Sequence, residues 1–132
     1  MKRNLFSLIS LLLTCTCVGV NKPASARLSN FQNSCNNISI SGNILSATCN
    51  SLNGQGRQTS IVLNGIENIN GKLRITDVTQ PSNFQDSCTN ISIDGNELSA
   101  ICAKINGQRR QTSIVLNGIE NINGILEYTS SP

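Results

Sequence analysis

Shifting the chain by 53 residues lays it over itself without a gap. Ser29–Leu73 aligns with Ser82–Leu126, and 35 of these 45 positions are identical. The string RQTSIVLNGIENING recurs unchanged at 57–71 and 110–124. Whatever local structure one unit builds, the other must build too. A unit of this size has a small core of its own, and two units are too few for a solenoid, which usually needs three or more. The connection Thr76–Gln80 is short and ends at Pro81. Two small units this close are expected to share one core, in a single pseudo-symmetric all-β domain.

The all-β reading comes from alternation within each unit. Ile38 and Ile40 alternate with Asn37 and Ser39, Ser41-Gly42-Asn43 reads as a turn, and Leu45, Ala47 and Cys49 alternate with Ser46 and Thr48. This is period two across a hairpin. Asn53-Gly54 marks the next turn, and Thr59, Ile61 and Leu63 alternate with Ser60, Val62 and Asn64. Asn64-Gly65 and Asn70-Gly71 are further turns, explained by backbone angles alone. Ile66 and Ile69, three apart across Glu67-Asn68, fit one tight helical turn over the core. A last short strand runs over Leu73–Ile75. Ile61, Leu63, Ile66 and Ile69 are assigned to structure. Glu67, Asn68 and Asn70, repeated as Glu120, Asn121 and Asn123, form a polar set that is either a solvated turn or the rim of a ligand site.

Residues 1–26 read as a secretory signal peptide: Lys2 and Arg3, an apolar run from Leu5 to Leu13, and Ala24-Ser25-Ala26 as the small-x-small cleavage form. The run is too short to span a bilayer as a stable helix. A retained anchor and a lipid on Cys15 or Cys17 are the alternatives. Cleavage removes the basic surplus, since Lys2, Arg3, Lys22 and Arg27 lie in the leader or at its cut. From Leu28 onward six basic residues face seven acidic ones, a net charge of −1. Nucleic-acid binding needs a basic footprint that this leaves out, and no membrane contact is expected after cleavage.

Cys35, Cys49, Cys88 and Cys102 remain. An even count in a short secreted chain reads as disulfides, and without His or a CxxC motif a zinc site has no ligand set. Three pairings are possible, and like units most simply carry like bridges: Cys35–Cys49 and Cys88–Cys102. Each closes a loop of about 15 residues, contributing roughly 3 kcal/mol in the loop-entropy treatment. No cofactor or metal is expected.

Leu28-x-x-Phe-x-x-Ser-Cys35, the cysteine spacing, Ser60-Ile-x-Leu-Asn64, Ile66-Glu-Asn-Ile-Asn-Gly71-x-Leu73, Pro81-Ser-Asn-Phe84 and Glu97-Leu98 together resemble the cyanovirin-N family of lectins. The resemblance covers residues 28–130, with repeat one at 28–80 and repeat two at 81–130. It implies two triple-stranded sheets, paired hairpins, short 3₁₀ turns and strand exchange between the repeats. It implies binding of mannose-rich glycans, with preference for terminal α1–2-linked mannose, and antiviral action through envelope glycans. It also implies a monomer or a domain-swapped dimer formed by straightening the linker. Carried over position by position, one pocket contains Ser29, Asn30, Asn33, Ser34, Asn50, Ser51 and Leu52 with Asn121 and Asn123. The other contains Ser82, Asn83, Asp86, Ser87, Lys104 and Ile105 with Glu67, Asn68 and Asn70. Leu52 and Ile105 stand where relatives often place polar or basic residues, Ala103 removes a possible contact, and the linker is longer than in the best-known member.

Sugar recognition suits these residue types, because vicinal hydroxyls need paired donors and acceptors and Asn supplies both. The chain has no Trp, and Phe31 and Phe84 read as core, so binding would rest on hydrogen bonds and on avidity from two sites. An enzyme would need a carboxylate pair such as Asp86 with Glu67, but the repeat mate of Asp86 is Asn33, so only one half could hold it. A surface or adhesive β-domain without a sugar pocket is the other alternative. Asn37-Ile-Ser39 and Asn90-Ile-Ser92 match the N-glycosylation pattern, which coincidence through duplication also explains.

Overall fold

The computed structural model describes residues 26–132. All but the last residue of the expected leader, with Cys15 and Cys17, lies outside the described residues. Repeat one forms β1 (Cys35–Ser41), β2 (Ile44–Asn50) and β3 (Gly56–Val62), then the hairpin β4 (Ile66–Ile69) and β5 (Lys72–Ile75). Repeat two forms β6 (Cys88–Asp94), β7 (Glu97–Ala103) and β8 (Arg109–Val115), then β9 (Ile119–Ile122) and β10 (Ile125–Tyr128). The triple-stranded sheets are antiparallel, ordered β1-β2-β3 and β6-β7-β8. Single 3₁₀ turns at Phe31–Asn33 and Phe84–Asp86 precede β1 and β6.

Alternation decides which face of each strand is buried. In β2, Leu45, Ala47 and Cys49 are buried while Ser46 and Thr48 lie on the opposite face, and β7 repeats this with Leu98, Ala100 and Cys102. Both expected disulfides are present. Each joins residues directly opposite in the register, tying the start of the first strand to the end of the second. Phe31 and Phe84 are fully buried and join Leu45, Leu63, Ile66, Leu98, Leu116 and Ile119 in one cluster drawn from both repeats.

The shared core comes from an exchange of hairpins. The β4–β5 hairpin packs through β5 on β8 of the other repeat, and β9–β10 packs through β10 on β3. Matching hydrogen bonds fix both docks: the Leu73 N–H donates to Thr112 Oγ1 at 3.1 Å, and the Leu126 N–H to Thr59 Oγ1 at 3.0 Å. The Asn64 N–H donates to the Tyr128 hydroxyl. Burial raises the Tyr128 phenol above its ordinary value of 10.0, partly offset by that bond.

Two expectations are corrected. Ile66–Ile69 is a strand, not a helical turn. Residues three apart in a strand point to opposite faces, so Ile66 is buried at 1% exposure while Ile69 is 47% exposed. Ile69 is therefore not a core residue. The turn that follows has both Asn70 and Gly71 at positive φ (50° and 88°), as two-residue hairpin loops of type I′ require. The strand-like run at 37–40 also contains a bulge: Asn37 has φ 52°, and the β1–β2 register shifts between Asn36 and Ser39. Asn tolerates left-handed backbone better than other L-residues, and Asn90 repeats the bulge in β6.

The linker is folded rather than extended. Gly65 accepts from the Thr76 N–H through its carbonyl and donates its own N–H to the Gln80 carbonyl. The Asp77 carboxylate accepts from both the N–H and the hydroxyl of Thr79. Those bonds, the hydroxyl's first, lower the Asp77 pKa below its ordinary 3.8. A carboxyl held below its unfolded value adds stability above that value, and the contribution is lost as pH falls through the folded value. The Thr79 amide resonance is expected to titrate with a midpoint below 3.8; a midpoint at or above it would contradict this account of the linker turn.

Candidate functional site

Hairpin exchange places the end of each short hairpin against the turn after β2 or β7 of the other repeat, and one asparagine makes each dock. Asn121 in β9 donates through Nδ2 to Ser34 Oγ and to the Asn50 carbonyl, both at 2.9 Å, while its Oδ1 accepts from the Gly124 N–H at 2.6 Å. Asn68 in β4 does the same with Ser87 Oγ, the Ala103 carbonyl and the Gly71 N–H, at 2.9, 2.9 and 2.7 Å. Asn123 Oδ1 then accepts from the Leu52 N–H at 2.8 Å, and Asn70 Oδ1 from the Ile105 N–H at 3.0 Å. Both donors of Asn68 and Asn121 are consumed, so these two side chains clamp the hairpins rather than offer donors to a ligand.

The hairpin turns fit only glycine at their second residue. A Cβ on Gly71 would lie 2.7 Å from Lys104 Cγ and 3.1 Å from Arg110 Cβ, and one on Gly124 would lie 2.7 Å from Arg57 Cδ. The stems of these long side chains thus pack across the hairpin ends and extend the dock.

Around each dock lies a rim from both repeats. On the first, the exposed side chains of Asn30, Asn33 and Asn50 and the Nδ2 of Asn123 make no hydrogen bond within the described residues. On the second, the exposed side chains of Asn83 and Asp86, the half-buried Lys104 and the Nδ2 of Asn70 likewise make no hydrogen bond within the described residues. Leu52 and Ile105 project from the turns at 91% and 90% exposure. Ser51 is tied into its own turn, its single hydroxyl proton facing both Asn53 Oδ1 and the Gln55 carbonyl.

Three sequence-predicted residues are placed differently. Ser29 and Ser82 are buried at 2% and 1%. Their hydroxyls accept from the Ile119 N–H at 2.9 Å and the Ile66 N–H at 2.8 Å, so they brace β9 and β4 from beneath and do not line a surface. Glu67 is in strand β4, and alternation turns it to the face away from Asn68. There it accepts from the Thr76 hydroxyl at 2.6 Å, at the start of the linker. Its repeat mate Glu120 instead faces Arg27 at 3.7 Å, an exposed pair of little energetic weight. Of the remaining predicted residues, Asn68, Asn121, Ser34 and Ser87 form the two clamps and the others lie around them. Sequence reasoning missed the Asn50 and Ala103 carbonyls and the Gly71 and Gly124 amides, because backbone groups carry no residue-type signal.

The electrostatics of the rims differ. In the first, the aligned side chains Asn33 and Ser51 are neutral, and Arg57 packs at the hairpin end. The second holds Asp86 and Lys104 where the first has Asn33 and Ser51.

The family model for the CVNH domain matches residues 31–127. Among solved structures, the chain is similar to microvirin in complex with mannobiose, at 29% identity and TM-score 0.60 over 76% of this chain and 99% of that one. It is similar to the CVNH protein of T. borchii at 28% identity and TM-score 0.64, covering 75% and 98%. Its similarity to the CVNH protein of Gibberella zeae is 28% with TM-score 0.58, covering 76% and 98%. Sequence signature, duplicated sheets and exchanged hairpins agree with these matches, and the chain belongs to the CVNH-domain family, the cyanovirin-N lectins.

Proposed function

We propose that this protein is a secreted, non-catalytic lectin that binds mannose-rich glycans, with terminal α1–2-linked mannose as its preferred unit, through the two hairpin-dock rims. The observation that carries the reading is the pair of equivalent rims, each with a clamped asparagine beneath and unpaired amides above. Asparagine side chains held by a rigid scaffold can match vicinal hydroxyls with both donors and acceptors. The exposed Leu52 and Ile105 offer an apolar surface to the C–H face of a sugar ring. The mannobiose complex of microvirin supports the choice of sugar. Each rim alone would bind modestly, and two on one body raise affinity for branched glycans by effective concentration. Such a protein would act against viruses by engaging their envelope glycans. The bent linker favours the closed monomer over the swapped dimer.

Calorimetric titration of the oxidised protein with α1–2-linked mannobiose, with maltose as the control, tests this reading. The expected result is saturable heat with mannobiose near two sugars per chain and none with maltose. Equal response to both sugars would defeat the mannose preference. Silence toward both would favour a β-domain that has lost sugar binding.

A further inference from the structure

The two sheets carry almost the same residues on their outer faces, yet one polar row is open and its counterpart is crossed by an arginine. In the first sheet the outward side chains form two cross-strand rows, Asn36–Thr48–Gln58 and Ser39–Ser46–Ser60. Apart from Asn36, these residues and the bulged Asn37 line an open cleft of about 360 Å³, within the range of roughly 300–1,000 Å³ typical of small-ligand sites. It lies on the sheet's outer face, not on the hairpin-dock rims. Eight residues line it, and six of them, Asn37, Ser39, Ser46, Thr48, Gln58 and Ser60, are the outward polar ones, Ala47 and Thr59 belonging to the inner face of the same strands. None of these six side chains makes a hydrogen bond within the described residues, although Ser46 and Thr48 are half-buried. All six are neutral, and each can both donate and accept.

The corresponding row of the second sheet is Thr89–Ile101–Gln111. Ile101 replaces Thr48, and Arg109 replaces Gly56. Arg109 Nη2 donates to Thr89 Oγ1 at 2.9 Å and to the Ile101 carbonyl at 3.1 Å, so its guanidinium lies across that row. Gly56 leaves the first row uncovered. A Cβ there would already meet Thr48 Cγ2 at 3.0 Å.

We infer that the outer face of the first sheet is a third ligand site, one that takes a neutral saccharide unit. No cationic side chain lines it, so an anionic ligand has no partner there. No aromatic or large apolar residue lines it either, which leaves an uncharged polyol with closely spaced hydroxyls as the fitting class. On the second sheet Arg109 crosses the equivalent Thr89–Ile101 row and Ile101 makes that row partly apolar, so the same site is not repeated there.

Amide chemical shifts of the oxidised protein, followed while mannobiose, maltotriose or chitotetraose is added to millimolar concentration, test the inference. At least one of these sugars should shift Ser39, Ser46, Thr48 and Ser60, leaving Ser92, Ser99 and Ser113 unmoved. Thr48→Ile with Gly56→Arg copies the protein's own second repeat and should abolish those shifts. Arg109→Gly with Ile101→Thr should create them at Ser92, Ser99 and Ser113. The dock amides of Leu52 and Ile105 report separately, so failure of the rim sites and failure of this one are distinguishable. No shift on the first outer face with any of the three sugars, or equal shifts on both faces, would overturn the inference.

Discussion

Replacing Cys35 and Cys49 together by alanine is expected to lower folding stability by about 3 kcal/mol, within a range of roughly 2–5 kcal/mol for native bridges in small secreted domains. The bridge closes a separation of 14 residues, so its removal restores that loop's freedom to the unfolded chain. It also joins opposite positions at the open end of the β1–β2 hairpin, where no turn holds the strands together. Ser34 and Asn50 flank the bridged cysteines, and the backbone bond between them, from the Asn50 N–H to the Ser34 carbonyl at 3.0 Å, sits directly under the Asn121 clamp. Loss of the bridge should therefore loosen the first rim as well as the fold. The equivalent change at Cys88 and Cys102 should act on the second rim to a similar extent, because Ala103 and Ser87 are bonded in the same way. Urea unfolding of each double variant measures the cost. A loss below about 1 kcal/mol would show that the unfolded chain gains little freedom and that the loop-entropy account is wrong here.

Asn121→Ala is expected to remove sugar binding at the first rim by at least about tenfold, or ~1.4 kcal/mol, while leaving the second unchanged. Asn68→Ala should do the reverse. The reason lies in what the amide holds together. Alanine at 121 strips partners from Ser34 Oγ, the Asn50 carbonyl and the Gly124 N–H at one stroke. Leaving such groups unpaired costs about 1–3 kcal/mol where they are shielded from water. The β9–β10 hairpin end then loses its fixed position against the Asn50–Leu52 turn, and the rim amides are no longer preorganised. Separate calorimetric titrations of the two variants measure the loss at each rim. If either variant bound two sugars per chain with unchanged affinity, the clamp would not be what orders the rim.

The fold was legible where residue type and period coincide. Leu45, Ala47 and Cys49 with their mates Leu98, Ala100 and Cys102 alternate cleanly, and they are the buried face of β2 and β7. Duplication settled the cysteine pairing, since two like hairpins carry like bridges. Ile66 and Ile69 misled because a spacing of three is ambiguous in a short segment. A four-residue strand also places such a pair, on opposite faces, and the Asn70-Gly71 turn with two positive φ values was the better signal. The same error put Glu67 on one face with Asn68. The family resemblance puts Ser29 and Ser82 among the pocket residues, and a serine followed by an asparagine carries no mark of burial in the sequence. Only the tertiary structure shows that each must satisfy an isoleucine N–H of an exchanged hairpin. The outer cleft was invisible for a further reason. It depends on what Gly56 fails to cover, and the contrast with Arg109 has meaning only once the strands are in register.

The central claim is that each sugar rim is assembled from both repeats by hairpin exchange. Amide chemical-shift mapping of the oxidised protein with α1–2-linked mannobiose tests it most directly. The account predicts that Asn50, Ser51 and Leu52 shift together with Asn121 and Asn123, and that Lys104 and Ile105 shift together with Asn68 and Asn70. Shifts confined at each site to residues of a single repeat, or none at millimolar sugar, would contradict it.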